Sequence, residues 1–144
     1  MKRVTGIGGI FFLSPAAKRL RAWYAEHLGL ALNDWGSCVF EWREKDAPRR
    51  VGATAWSIKD ATSTYFAPSR ERFMVNYRVA NLDAMLAALK REGVKVDAKR
   101  EDSEFGRFAW IYDPEGRKLE LWQPAEEPAP KRKPKKKSAA RRRA

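Results

Sequence analysis

Glu120 and Trp122 alternate with Leu119 and Leu121 in the segment KLELWQP, residues 118–124. A period of two sends the leucines to one face of a strand and the carboxylate and indole to the other. On a concave face, that second pair makes a binding site. Glu120 is the candidate catalytic acid/base, because a carboxylate in a partly apolar pocket has its pKa raised into a useful range. The competing role, which weighs more heavily, is a paired or hydrogen-bonded anion. The segment FMVNYRV, residues 73–79, supplies the partners. Alternation puts Met74, Asn76 and Arg78 on one face and Phe73, Val75, Tyr77 and Val79 on the other, the latter against a helix. Asn76 or Arg78 would hold Glu120 as an anion. His27 is the only histidine. Its ordinary pKa suits a general base, but the end of a helix is also where the macrodipole favours it. No Ser-His-Asp or Cys-His signature surrounds it.

The aromatic complement is large: six Trp, seven Phe and four Tyr. Phe12 and Trp23 read as core. Trp35, Trp42, Trp56, Trp110 and Trp122 are candidates for a cleft as well as for core. Such a cleft, with Asn76, Arg78 and Glu120, suits a planar or partly cationic small molecule through stacking and cation–π contact.

The elements that would position these residues can be read in order. Residues 4–13 form an apolar, central strand. Ser14 and Pro15 start a helix as N-cap and first helical residue, and Gly29 ends it. Residues 31–35 are a weak strand, 37–43 a stronger one, 44–50 a charged loop and 51–58 another strand. Residues 59–72 are a longer connection holding Tyr65, Phe66 and Pro68. Then the order repeats. Residues 73–79 are a strand, and Asn81 caps a helix whose Leu82, Met85, Leu86 and Leu89 face the core. Gly93 follows, then strands at 94–98, 108–112 and 118–122. Asp113, Pro114 and Gly116 make a type I turn between the last two. Each half therefore reads β-α-β-β-β, within modules at about 4–60 and 73–124. The expected class is α+β, two such modules forming a curved mixed sheet around a central cavity.

Bulk properties bound the rest. A chain of 144 residues suffices for one domain with a proper core, placed here at 1–124. Residues 125–144 carry nine Lys and Arg against two Glu, leaving +5 of the net +12 on residues 1–124. This tail is proline-broken and without apolar periodicity, so it is expected to be disordered in isolation. It could touch nucleic acid weakly and without sequence preference, though it has no aromatic residue for base stacking. Cys38 stands alone, which excludes an intrachain disulfide, and reads as a small buried residue. The glycine-interrupted start lacks a cleavage site for secretion, and no run spans a membrane. The expected location is cytoplasmic.

Three pieces, in this order, resemble the vicinal oxygen chelate superfamily of glyoxalase I, bleomycin-resistance proteins and extradiol dioxygenases. They are the WYAEHLGL helix end, the FMVNYRVANLDAMLAALKREGV opening of the second module, and the DPEGRKLELWQP close. The resemblance covers roughly residues 5–124. It implies a divalent metal on inward-facing strand residues, but the ligand positions fall on Gly9, on Thr54 or Trp56, on Met74 and on Glu120. Only Glu120 is a suitable ligand, and one carboxylate does not hold a catalytic metal tightly. The expectation is therefore no metal and no cofactor. The resemblance also implies a homodimer. The leading functional reading is a small-molecule-binding protein lined by Trp56, Met74, Asn76, Arg78, Glu120 and Trp122. The alternatives are a glyoxalase-like lyase or epimerase using Glu120, and a polyanion-binding protein working through its tail.

Overall fold

The computed structural model describes residues 3–126; of the tail expected at 125–144, all but the first two residues lie outside that range. The chain runs β1 (Val4–Ser14), α1 (Ala17–Leu28), β2 (Cys38–Glu44), β3 (Ala47–Asp60), β4 (Phe73–Val79), α2 (Leu82–Arg91), β5 (Lys95–Ser103), β6 (Gly106–Tyr112) and β7 (Lys118–Pro124). One mixed, open sheet contains all seven strands in the order β2-β3-β1-β4-β7-β6-β5. The halves meet edge to edge where β1 pairs antiparallel with β4. Within each half the first strand pairs in parallel with the last, β1 with β3 and β4 with β7. The α+β class is as the sequence implies, but the repeat is unequal: β-α-β-β in the first half and β-α-β-β-β in the second.

Register tells which face the helices cover. Ile7, Ile10 and Phe12 of β1 stand opposite Tyr77, Val75 and Phe73 of β4. Val79 continues that row and packs in the core beneath α2 with Leu82, Met85, Leu86, Leu89, Ala109 and Leu121. Phe12 meets Tyr24 of α1, ring centroids 6.2 Å apart. Both helices thus lie on one face, leaving the other for Met74, Asn76 and Arg78. Asn81 caps α2 as expected, accepting the Ala84 N–H at 3.0 Å. Gly29 ends α1 with φ of 69°, a left-handed conformation that glycine adopts without steric cost. The Asp113 turn forms: the Gly116 N–H reaches the Asp113 carbonyl at 3.0 Å, and the Asp113 side chain accepts from Glu115 and Arg117.

Four expectations need correction. The first half lacks its outer strand: residues 31–35 make no ladder, and Asn33 organises a turn instead, accepting from the Trp35 and Ser37 amides. Side-chain acceptance of local amides competes with extended pairing. Ser14 does not cap α1; it ends β1, its hydroxyl accepts from the Ala16 N–H, and the helix begins at Ala17. Residues 44–50 are not a loop. Glu44 pairs with Ala47 around a two-residue turn at Lys45 and Asp46, so β3 runs four residues earlier than its apolar pattern suggests. Finally, β5 extends to Ser103, a polar edge strand without the apolar alternation that marks half-buried ones. Cys38 is buried, as read. No helix among the described residues is long and apolar enough to cross a membrane.

Candidate functional site

Two rows of side chains cross the helix-free face, and pairing register builds both. In the first, Gly9, Asn76, Glu120 and Trp110 stand side by side on β1, β4, β7 and β6. In the second, Gly6, Arg78, Trp122 and Phe108 do the same.

The first row is a buried polar lock in which one acceptor, Asn76 Oδ1, has no partner among the described residues. Glu120 is 3% exposed. Asn76 Nδ2 donates to Glu120 Oε1 at 2.6 Å, and Trp110 Nε1 donates to Oε2 at 3.0 Å. The third donor is the Tyr65 hydroxyl, also to Oε2. Tyr65 and Phe66 come from residues 61–72, which cross the face as a strap. Phe66 packs with Met74 and Trp110, flanked by Phe11, Leu13, Tyr65 and Phe108. Lys118 Nζ ties the strap down by donating to the carbonyls of Tyr65 and Ala67 at 3.0 and 3.1 Å. Burial, and then the Glu120 charge, push the Tyr65 phenol far above its ordinary pKa, so it stays a donor. Burial lowers the Lys118 pKa.

Donors converging on a carboxylate satisfy an anion. Three donors take three of the carboxylate's roughly four lone-pair sites, leaving at most one for a cation. Glycine stands at position 9 and the thioether of Met74 is packed among rings. Among the described residues no cluster of three or more His, Cys, Asp and Glu is assembled. The residues present do not fit the divalent metal that the resemblance implies.

The second row is open and aromatic. The Arg78 guanidinium lies over the Trp42 ring at 5.4 Å and the Trp122 ring at 5.1 Å. Phe108 stacks on Trp122 with centroids 5.9 Å apart and planes 3° from parallel. Glycines make this ladder possible. A Cβ at Gly6 or Gly52 would sit 2.6 or 2.3 Å from the Trp42 ring, so the indole lies directly on backbone. A Cβ at Gly8 would fall 2.2 Å from Asn76 Oδ1. Each indole is pinned through its N–H: Trp42 to Thr54 Oγ1 and Trp122 to the Phe105 carbonyl, both at 2.8 Å.

Of the residues expected at the site, Met74, Asn76, Arg78, Glu120 and Trp122 share this face. Asn76, and not Arg78, touches Glu120. Trp56 lies elsewhere. It stands opposite Ile10, on the helix-covered side, with its ring 5.7 Å from Phe12 and 5.0 Å from Tyr24. His27 is on the exposed end of α1 beside Trp23 and Glu26, far along the sequence of elements from Glu120. By sequence alone Tyr65 belongs to a connection and Trp42 has no assigned face. Three glycines within the first strand were the available signal, since glycine inside a strand marks close approach.

No family model matches the sequence, and no curated protein matches it. Solved structures do match. Methylmalonyl-CoA epimerase from Mycobacterium tuberculosis superposes with a TM-score of 0.61 at 20% identity, covering 88% of this chain and 92% of the epimerase. A Streptomyces coelicolor methylmalonyl-CoA epimerase variant in complex with 2-nitronate-propionyl-CoA gives 0.62 at 17% identity, covering 85% and 99%. The chain has the vicinal oxygen chelate fold. A structure described as NAD-dependent benzaldehyde dehydrogenase from Legionella pneumophila also matches, with a TM-score of 0.53 at 10% identity, covering 81% of this chain and 98% of that one. Likeness at these identities speaks to the fold and not to a reaction.

Proposed function

We propose that this chain is a small-molecule-binding protein that holds a planar ligand along the ladder of Trp42, Arg78, Trp122 and Phe108. The observation that carries the reading is the contrast between the two rows. The carboxylate row is filled by the protein's own side chains, while the aromatic row is half-exposed and meets a cleft through Arg78. Rigid rings pinned through their N–H groups lose little freedom when a planar ligand lies against their exposed edges. Met74, Asn76 and Glu120 then support the site from below, and no cofactor is required. The test is quenching of tryptophan fluorescence, with thermal shift, across a panel of planar molecules. Trp122→Ala is expected to abolish binding, and Glu120→Gln to keep it. Absence of any hit, or equal binding by Trp122→Ala, overturns the reading.

A second reading makes Glu120 the acid/base of an epimerase or lyase. The structural neighbours that carry epimerase names favour it, and so does the position of a buried carboxylate on the inner face. It requires the strap of residues 61–72 to move and the Tyr65 bond to break. Exchange of the substrate α-proton with deuterated solvent, followed by NMR on methylmalonyl-CoA, tests it. Exchange by wild type that Glu120→Gln loses would install this reading in place of the first.

A cytoplasmic homodimer is part of the proposal. Ile7, Ile10 and Phe73 are exposed together on the two central strands between the helices, an apolar strip that a second copy could cover. Sedimentation of wild type and Ile10→Lys reads it: a monomer in both removes the dimer. The basic tail is proposed to add only weak contact with polyanions, tested by nucleic-acid binding with and without salt.

A further inference from the structure

A cleft at one end of the sheet, joined to the ladder through Arg78, is bounded by arginines. Its volume is about 720 Å³, and its lining includes Arg49 and Arg50 of β3, Arg78 of β4 and Gln123 of β7, with Glu44 and Glu126 as the acidic groups. Arg50 meets Glu44 only at 3.9 Å. Gln123 spends its carbonyl on the Leu82 N–H at 2.9 Å, which leaves its NH2 for another acceptor.

Arg78 differs from its neighbours. It is half-buried, with its guanidinium over two indoles. Among the described residues no hydrogen bond or ion pair engages its N–H groups. Burial pulls its pKa below the ordinary guanidinium value, and the charge of Glu44 restores only part. A cation withdrawn from water without an ion partner is costly, and ring faces offset that cost only partly. A planar fork of donors held against two rings matches the geometry of a carboxylate or phosphate.

We propose that this cleft is an anion-binding subsite. Arg49, Arg50 and Arg78 receive the carboxylate or phosphate of a small molecule whose flat portion lies along Trp42 and Trp122. The inference rests on the ladder being the ligand-binding face and names the class of ligand: an aryl or heteroaryl acid or phosphate monoester. Nothing is transferred and no bond is made; the arginines bind and orient.

The probes are 2-naphthyl phosphate, 2-naphthoate, uncharged 2-naphthol and inorganic phosphate, titrated calorimetrically into the full chain. The variants are the double substitution Arg49→Ala/Arg50→Ala and the single Arg78→Met. The double variant changes only exposed side chains and keeps the basic tail, so any contribution of the tail cancels. The charged naphthyl probes are expected to bind wild type at least about tenfold more tightly than naphthol, a difference typical of one charge-assisted contact. The double variant is expected to lose that preference while its affinity for naphthol stays the same, and rising salt is expected to weaken only the charged probes. Whichever of phosphate and carboxylate binds more tightly identifies the group. Naphthol bound as tightly as its phosphate and carboxylate counterparts overturns the anion subsite and leaves the ladder reading standing. So does a preference that survives in the double variant. Failure of every naphthyl probe to bind overturns the ladder reading itself. Inorganic phosphate bound with no naphthyl binding reduces the cleft to a free-anion site and overturns the planar-ligand class. Arg78→Met, if folded by circular dichroism, is expected to match the double variant.

Discussion

The two halves are built to one plan and packed to different standards. Helix α2 buries Leu82, Met85, Leu86, Ala88 and Leu89, whereas α1 buries Ala17 alone. Trp23 and Leu28 of α1 remain 49% and 60% exposed. The second half has its outer strand β5; the first does without the equivalent. Asn81 caps α2 with its side chain, and Ala16 offers α1 none. The lesson is a division of labour. The second half is the rigid body from which Asn76, Trp110 and Glu120 are presented in register. The first contributes β1, the strap beyond β3 and Trp42, and leaves apolar surface uncovered.

The largest expected effect tests that division directly. Leu82→Ala, at a residue 0% exposed, is expected to cost about 2–5 kcal/mol in urea unfolding, the range for buried leucines. Leu28→Ala is expected to stay within about 0.5 kcal/mol, as for surface positions. Similar losses at both sites would end the comparison. Next comes Tyr65→Phe, which removes one donor from buried Glu120 and is expected to cost about 1–3 kcal/mol. It also loosens the strap, read as faster amide exchange over residues 61–72 and unchanged exchange in α2. Uniform acceleration would mean the strap and α2 are one unit. Asn81→Ala is expected to cost about 1 kcal/mol, as loss of a helix cap does. Introducing serine at position 16 asks whether α1 gains from the cap it lacks.

The smallest effect is one of pH. Asp83, in the first turn of α2, bonds Arg100 at 2.6 Å and Arg107 at 3.0 Å. The hydrogen bond from Arg100 leads in holding its pKa below the ordinary carboxylate value. The folded protein therefore binds this proton less readily than the unfolded chain. The stabilisation is present above the unfolded pKa, near pH 4, and is lost as pH falls through the depressed folded value. Asp83→Asn is expected to be less stable than wild type at neutral pH, with the gap closing in acid. A gap that widened as pH fell would reverse the sign and refute the assignment.

What could be read from the residues alone follows the same division. Helix α2, its Asn81 cap, the alternation of β4 and the Asp113 turn are local patterns, and local patterns carry their own geometry. Glu120 and Asn76 could be placed on one face because a strand's parity is fixed once one of its faces is buried. Trp56 could not, because its side of the sheet is decided by Ile10 on a neighbouring strand. Tyr65 was out of reach for another reason: nothing in residues 59–72 says that the segment folds back across the sheet to a carboxylate 55 positions later. Trp42 was hidden in plain view. The space it occupies is created by Gly6 and Gly52, on two other strands.

Gly8 and Asn76 share one volume: a methyl group at position 8 would land 2.2 Å from the Asn76 amide oxygen and 2.9 Å from Arg78 Cγ. The two positions are consequently free to vary only as a pair. Lineages that enlarge residue 8 should shrink residue 76 in step and, in losing its amide, should replace Glu120 as well. A three-site signature of that kind would trace the history of this face across related genomes.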